Sequence, residues 1–269
     1  MDEQFLERMD SQLAGWSDPV DRLRAALDND ELQLYCQPIV SLREDAAGRK
    51  DATFPLGEIL VRLREEERAL VPPGEFLPVF EHFRMMPQLD RWVVRHALQS
   101  LAGGLRVGRF CINVSTQTLE DPEFARFVAA QLAAHRLSAD VLGFEIEESD
   151  ALERPAVTRQ FAAACRSIGV RVLLDGFGRR AVSFTPIKDL GVHFVKVDGA
   201  IIRKLLTSEV AQSKLNAILR MSDALGYAVV AECVEEEPVL TRLRTLGVAY
   251  AQGFGVQPPL ALESLARAG

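Results

Sequence analysis

Polar residues recur at the ends of short apolar runs, and this pattern restricts the folds that the chain can adopt. The runs GEILVRL, LGFEIEES, VLLDGFG and VVAECVEE carry Glu58, Glu145, Asp175 and Glu232. A carboxylate at the end of a buried strand is costly unless another group pairs with it. In a (β/α) barrel the strand ends converge at one rim, where active sites are built. The pattern therefore predicts a barrel with several acidic side chains at one rim.

Strand-like and helix-like segments alternate along the chain. Apolar runs typical of strands occupy 32–40, 54–63, 109–115, 141–147, 171–175, 194–198, 227–232 and 249–254. Helical periodicity fills 75–102, 122–135, 155–168, 208–225, 236–246 and 260–268. Eight strands interleaved with helices favour one α/β barrel over an open sheet. We expect a single domain over residues 1–269, with two short helices within 1–30 packed on the barrel.

Composition excludes several classes of protein. The chain has 269 residues, 48% of them hydrophobic, and a net charge of -7, which disfavours binding to nucleic-acid polymers. Four cysteines lie far apart, and we expect three of them, Cys36, Cys111 and Cys233, to lie inside strands, so we interpret the four as reduced core thiols. No signal peptide is visible, and no apolar run approaches the length of a membrane span. We therefore expect a cytoplasmic protein without a membrane segment.

Four oxygen donors end four consecutive predicted strands. They are Glu58, Asn113, Glu145 and Asp175. Ligation by oxygen alone suits a hard cation, Mg²⁺ or Mn²⁺. The alternative is that each donor pairs with a nearby arginine or caps a helix.

The next two strand ends carry further charged groups. Lys196 can orient a water or stabilise charge on a phosphoryl group, or it can simply pair with a buried acid. Either Glu232 or Glu235 can accept a proton from an attacking water, although Glu235 also suits the start of the helix near Pro238. The pair Arg179-Arg180 can bind phosphate or belong to a solvated loop.

A series of motifs in fixed order resembles the EAL domain family, which comprises cyclic di-GMP phosphodiesterases and inactive relatives. The resemblance runs from about Leu23 to Leu260. The matching segments are YCQPIV (35–40), Glu58-Ile59-Leu60 with Arg62, Asn113-Val114-Ser115, Glu145-Ile146-Glu147-Glu148-Ser149, Lys196-Val197-Asp198, Ala231-Glu232-Cys233-Val234-Glu235, and Gln252-Gly253-Phe254 with Pro259-Leu260.

The resemblance implies a modified TIM-like barrel with one antiparallel strand and two divalent ions that activate a water between them. That water opens cyclic di-GMP to its linear product. The first ion would be held by Glu58, Asn113, Glu145 and Asp175. The catalytic residues would be Glu232, Lys196 and Gln252.

Further roles follow from the same resemblance. Ligand contacts would come from Gln37, Leu60, Arg62, Asp90, Glu235, Phe254 and Pro259. Glu148 would anchor the loop after the fifth strand, through which family members also form dimers. A homodimer or another protein partner is thus an expectation for this chain.

The chain departs from the family pattern at one place above all. Paired aspartates of the family are here Asp175-Gly176, and the loop that reads T-G-Y-S-S is here the segment from Arg179 to Ser183. Glycine supplies no ligand, so we expect the first metal site to be intact and the second to be doubtful. Loss of one electrostatic contributor commonly lowers a catalytic rate by about 10²–10³.

Three interpretations remain open at this point. The chain can be a cyclic di-GMP-binding receptor or regulator with impaired or absent hydrolysis. It can be an active phosphodiesterase, whether its turnover is fast or slow. It can also be a protein–protein interaction domain that no longer binds nucleotide, although the four retained oxygen donors argue against that reading.

Overall fold

A computed structural model describes residues 18–43, 54–64, 73–105, 107–180 and 182–265. The first of the two expected N-terminal helices lies outside these residues. The second is α1, Pro19–Asp28, and it buries Leu23 and Ala26 in the main core. Its start is fixed by the side chain of Asp18, which accepts a hydrogen bond from the Asp21 amide at 3.0 Å. No helix in the described ranges has the length and apolarity of a membrane span.

Eight strands form a closed ring. They are β1 (Leu32–Ser41), β2 (Leu56–Leu63), β3 (Phe110–Asn113), β4 (Leu142–Glu147), β5 (Arg171–Phe177), β6 (Phe194–Val197), β7 (Ala228–Ala231) and β8 (Tyr250–Ala251). Neighbours from β2 to β8 are parallel, whereas β1 closes the ring antiparallel to both β8 and β2. This confirms the predicted barrel with one reversed strand.

Helices cover the outside of the ring. They are α2 (Pro73–His82), α3 (Met86–Ala102), α4 (Thr116–Leu119), α5 (Phe124–His135), α6 (Glu148–Glu153), α7 (Pro155–Ser167), α8 (Phe184–Leu190), α9 (Gly199–Arg203), α10 (Glu209–Leu225) and α11 (Glu237–Thr245). Their apolar faces pack against the outward residues of the strands and form the main core.

The barrel interior is built in two layers, because residues two apart on a strand face the same side. The apolar interior layer comprises Ile39, Leu56, Cys111, Leu173, Phe194 and Val230, with Tyr250 packed against it. The polar rim layer comprises Gln37, Glu58, Asn113, Glu145, Asp175, Lys196, Glu232 and Gln252. Each of them except Glu145 lies two positions along the chain from Tyr250 or a residue of the apolar interior layer. Each strand of the ring, or for β7 and β8 the residue directly after it, thus contributes one polar side chain to the rim.

Two strands depart from the common form of this arrangement. On the reversed β1, the polar Gln37 precedes the apolar Ile39, so the order along the chain is inverted. On β4, Gly143 lies below Glu145, and a Cβ atom at position 143 would approach Leu173 Cδ1 to 2.5 Å. Gly143 therefore leaves space for the neighbouring leucine.

Three secondary-structure predictions were wrong in detail. The helix expected over 75–102 is interrupted between α2 and α3, where Arg84 has a φ of 55°. No helix begins at Leu260: Leu260–Ala261 pairs with β1 as the short strand β9, outside the ring, and a 3₁₀ turn follows over Leu262–Leu265. Cys233 lies beyond the end of β7 in a left-handed conformation, and not inside a strand.

Candidate functional site

The Lys196 ammonium lies at the centre of the polar rim layer. Its Nζ atom contacts four carboxylates, namely Glu145 Oε2 at 2.7 Å, Glu58 Oε2 at 2.9 Å, Glu232 Oε1 at 3.0 Å and Asp175 Oδ1 at 3.6 Å. The lysine side chain is only 1% exposed, so water does not screen these contacts. One cation therefore faces an excess of negative charge.

Amide side chains complete the rim around Glu58. Asn113 Nδ2 donates to Glu58 Oε1 at 2.7 Å, and Gln252 Nε2 donates to Glu58 Oε2 at 2.7 Å. Gln252 Nε2 also donates to Gln37 Oε1 at 3.1 Å, which joins β8 to the reversed β1. The structure thus brings the six polar side chains that the sequence placed at strand ends together with Gln37 and Gln252, which only the family resemblance had singled out.

The two most buried carboxylates of the rim layer, Glu145 and Glu58, differ in proton affinity. Burial acts to raise the pKa of Glu58, but Lys196 and the hydrogen bonds from Gln252 and Asn113 outweigh it and lower that pKa below the usual value. Burial raises the pKa of Glu145 well above the usual value, and the Lys196 charge only partly offsets it. Glu58 is therefore the anionic member of the pair, and Glu145 is the one that accepts a proton more readily.

Glu232 has a pKa near neutrality. Burial raises its pKa to about 7, with Lys196 opposing and the charges of Asp175 and Glu58 adding to the increase. The same carboxylates raise the pKa of Lys196 well above its usual value, although burial opposes this. Lys196 thus remains charged, and Glu232 can exchange a proton near pH 7.

Several buried oxygen atoms of the rim lack a hydrogen-bond donor among the described residues. They are Glu145 Oε1, Asp175 Oδ1 and Gln252 Oε1. Unpartnered carboxylate and amide oxygens are the ligand type that a hard cation requires. In the described ranges, no three acidic, histidine or cysteine side chains are arranged to hold a metal ion. The carboxylates of the rim contact Lys196 instead. The donor chemistry therefore fits a divalent ion, provided that the carboxylates turn away from the ammonium.

The end of β5 differs from the other strand ends. Gly176 has a φ of 64°, and the pairing register of β5 with β6 shifts between Leu174 and Phe177. The carboxylate of Asp198 is held by Arg179, whose Nε lies 2.8 Å from Oδ2, and by the Ala200 amide at 2.9 Å. Beside Asp175, position 176 therefore offers no second carboxylate, and Asp198 is already paired.

The loop after β5 is held by the barrel. The buried carboxylate of Glu148 accepts hydrogen bonds from the Gly178 amide at 3.0 Å and from the Arg180 amide at 3.3 Å. Lys214 Nζ donates to the Gly178 carbonyl at 2.7 Å. Arg180 Nη2 contacts Glu153 Oε1 at 2.7 Å, so neither arginine of this loop is merely solvated. Ala181 lies outside the described residues.

The ligand-contact residues implied by the resemblance fall into separate places. Leu60 and Asp90 line a cleft of about 650 Å³ at the rim, together with Asn113. Asp90 is buried and accepts hydrogen bonds from the Ser115 amide at 3.1 Å and its hydroxyl at 2.7 Å. Burial raises the pKa of Asp90 even though these hydrogen bonds oppose the increase.

The remaining predicted contacts lie away from that cleft. The Arg62 guanidinium lies 5.9 Å from the centre of the Tyr35 ring and donates to the Val61 carbonyl at 3.0 Å. Glu235 and Phe254 are exposed beyond β7 and β8, and Pro259 is half-buried. The described cleft thus collects part of the predicted ligand set, while the rest lies around the opening of the barrel.

Some polar residues of the cleft were not predicted from the sequence. Thr116 Oγ1 donates to Asp150 Oδ1 at 2.9 Å, and both residues line the cleft with Glu147 and Arg154. Thr116 and Asp150 follow β3 and β4 by three residues each. This position could have identified them, because residues that follow the strands of a barrel form its functional face.

Comparison with known proteins supports these observations. The model of the EAL domain matches residues 20–259. Cyclic di-GMP phosphodiesterase PdeF of Escherichia coli (strain K12) is 29% identical over 243 residues, which make up 89% of this chain and 31% of PdeF. The chain spans about a third of the length of the curated relatives that it matches.

Solved structures agree in fold. The PaMucR phosphodiesterase in complex with c-di-GMP has a TM-score of 0.81 at 26% identity, covering 92% of this chain and 99% of that one. The FimX EAL domain from Pseudomonas aeruginosa bound to c-di-GMP has a TM-score of 0.80 at 26% identity, covering 91% and 97%. With its barrel, its rim of strand-end carboxylates and a family match over most of its length, the chain belongs to the EAL domain family.

Proposed function

We propose that this chain binds cyclic di-GMP with impaired or absent hydrolysis, and that it acts as a receptor or regulator in bacterial second-messenger signalling in the cytoplasm. One observation carries the proposal. The rim retains Glu58, Asn113, Glu145 and Asp175, whereas position 176 is a glycine with a positive φ. The site thus keeps the groups for one cation and lacks the carboxylate for a second.

The case for ligand binding rests on the cleft beside the rim. A cleft of about 650 Å³ is within the range of small-molecule sites, and its walls combine apolar side chains with a few polar groups. Leu60 supplies apolar surface, and the buried Asp90 supplies a fixed acceptor. Solved relatives that are similar over nearly the whole chain include both a phosphodiesterase and an EAL domain bound to c-di-GMP.

The metal chemistry supports weak hydrolysis. A divalent ion bound at this rim would neutralise phosphate charge and lower the pKa of a bound water. Glu58, Asn113, Glu145 and Asp175 would hold it, and Lys196 would remain as a fixed positive charge beside them. Efficient two-ion hydrolysis requires ligands for both ions, and glycine at 176 removes one of them.

Slow hydrolysis to linear pGpG is the second candidate function. The specific observation in its favour is Glu232, whose pKa of about 7 suits a group that takes a proton from water. Glu232 contacts Lys196 at 3.0 Å, which holds its carboxylate at the rim. Gln252 contacts Glu58 and can orient a water or a phosphate oxygen there.

A binding titration with product analysis tests both candidates. Cyclic di-GMP is titrated calorimetrically in EDTA, in Mg²⁺ and in Mn²⁺, and each mixture is then analysed for linear product. Saturable binding with little or no product supports the receptor. Progressive conversion of the bound nucleotide to linear product in Mg²⁺ or Mn²⁺, but not in EDTA, supports the phosphodiesterase. Absence of binding under all three conditions contradicts both.

Self-association through the loop after β5 stays a prediction. The loop is anchored by Glu148, and its surface is close to the rim. Analytical ultracentrifugation with and without cyclic di-GMP measures the oligomeric state directly. A monomer at all accessible concentrations contradicts the predicted homodimer.

A further inference from the structure

Arg179 lies where a side chain at position 176 would point. A Cβ atom built on Gly176 would be 3.5 Å from Arg179 Nη2 and 3.8 Å from its Cζ. A cavity of about 90 Å³ lies between Asp175, Gly176 and Arg179, with Glu148 on its wall. The guanidinium therefore borders the space that a second carboxylate and its cation would share.

Asp198 fixes the Arg179 guanidinium in this place. Arg179 Nε contacts Asp198 Oδ2 at 2.8 Å, and the Asp198 side chain is only 8% exposed. The Arg179 side chain itself is 68% exposed, so the contact orients it without burying it. Because a guanidinium carries five N–H donors, its terminal amino groups can still meet an anion.

The chemistry of a guanidinium suits a phosphodiester. Its planar fork donates two parallel hydrogen bonds to phosphate oxygens, and it stays charged at every pH at which the protein is folded. Asp198 raises the pKa of Arg179 further, first through the hydrogen bond and then through its charge. A guanidinium can thus supply fixed positive charge without any metal.

We propose that Arg179 takes the place of the second divalent ion, as the cationic group that contacts the phosphodiester at the β5 side of the site. This proposal deepens the proposed function and rests on it. Ligand binding at this side then requires no metal, and a second ion is excluded both by the missing carboxylate and by the guanidinium.

Arg180 provides a matched control. It is in the same loop and carries the same charge, but its guanidinium contacts Glu153 Oε1 at 2.7 Å. Substitution of either arginine by alanine removes one positive charge from the same exposed segment. A difference between the two variants therefore reports the position of the guanidinium and not the net charge.

The test is calorimetric titration of cyclic di-GMP in EDTA for wild type, Arg179→Ala, Arg179→Lys and Arg180→Ala. We expect wild-type binding without metal, a loss of affinity of at least about tenfold for Arg179→Ala, and a change within about twofold for Arg180→Ala. Arg179→Lys keeps the charge but not the fork, so its loss should be intermediate. Thermal melting verifies that each variant is folded.

A count of bound Mn²⁺ by electron paramagnetic resonance gives a second measure that does not depend on activity. Wild type should bind no more than one ion, and the double variant Gly176→Asp/Arg179→Ala should bind two. Unchanged affinity of Arg179→Ala in EDTA would overturn this inference and leave the proposed function intact. Two ions in wild type would overturn this inference and also the argument for impaired hydrolysis. Failure of wild type to bind cyclic di-GMP would overturn both.

Discussion

The rim has two halves that differ in how they balance charge. On the β2–β4 side, Glu145 is buried and Glu58 is half-buried, and their partners are Lys196 and Gln252. The exposed Asn113 donates a hydrogen bond to Glu58. On the β5 side, Gly176 replaces a carboxylate, and the exposed Arg179 pairs with Asp198. The first half is an acidic group with a spare oxygen on Glu145, whereas in the second half the Asp198 carboxylate is already neutralised by an arginine side chain.

This difference teaches where function can be lost without loss of the fold. The β2–β4 half is tied to the barrel interior through the alternation of the strands, so its side chains are held by the core beneath them. The β5 half is a strand end that leads into a loop, and its anchors are Glu148 and Lys214. Substitutions in the loop can therefore change the metal chemistry while the barrel stays intact.

The largest effect is expected from removal of the central ammonium. Lys196→Met leaves the surrounding carboxylates without a cation, and breaking a buried ion pair costs about 3–5 kcal/mol. Chemical denaturation should measure this loss in EDTA, with the exposed Lys188→Met as the control. Mn²⁺ should restore more stability to the variant than to wild type, because the freed oxygens can bind it. An unchanged free energy of unfolding would contradict the central role of Lys196.

The second largest effect is expected in the pH dependence of the stability of the folded state. Glu232 has a folded pKa of about 7, above its unfolded value, and the pKa of Glu145 is raised as well. A carboxyl whose pKa is raised on folding favours the folded state at low pH, and this contribution is lost as pH rises from the unfolded pKa through the folded one. The lowered pKa of Glu58 contributes to the pH dependence of stability with the opposite sign, but this contribution changes only in the acidic pH range.

Without metal, the melting temperature should therefore fall as the pH rises from about 5 through about 7, the folded pKa of Glu232. Differential scanning calorimetry in EDTA measures it, and Glu232→Gln should flatten the profile. The Gln variant serves as its own control, since it keeps the shape of the side chain and removes the titration. A melting temperature that rises over this range would contradict the assignment of the raised pKa values.

A smaller effect is expected from restoring the missing acid. Gly176→Asp adds a carboxylate beside Asp175, and turnover of cyclic di-GMP in Mn²⁺ should rise measurably. The positive φ of Gly176 makes this substitution cost about 1–2 kcal/mol of stability. Removing the competing guanidinium with Arg179→Ala should increase turnover further. Brisk wild-type turnover that Gly176→Asp leaves unchanged would mean that the two halves of the rim do not differ in function.

The smallest effect is expected at Cys233, which lies beyond the end of β7 beside Glu232. Cys233 has a φ of 53°, a conformation that costs a non-glycine residue about 1–2 kcal/mol. Cys233→Gly should therefore stabilise the protein by about 1 kcal/mol, partly offset by the greater freedom of glycine in the unfolded chain. Arg136→Gly, at a helix end with a φ of 55°, is the matched control away from the rim. Destabilisation by Cys233→Gly would show that thiol packing outweighs backbone strain.

The sequence predicted the barrel and most of its rim. Polar residues at the ends of apolar runs predicted that Glu58, Asn113 and Lys196 meet at one rim, and in the structure each shares a face with an apolar interior residue two positions away. The sequence was a poorer guide to elements whose pairing strand is distant in the chain. The strand Leu260–Ala261 exists because it pairs with β1, and no local pattern distinguishes it from the start of a helix.

Several properties of the site were decided only by the tertiary structure. Glu58, Glu145 and Glu232 are the same residue type at the same kind of strand end, yet one pKa is lowered and two are raised. The difference depends on how many donors reach each carboxylate and how deeply it is buried. The sequence determined which polar groups meet at the rim, because strand alternation is local. Only the closed barrel decided their charges, because burial and pairing depend on distances between residues far apart in the chain.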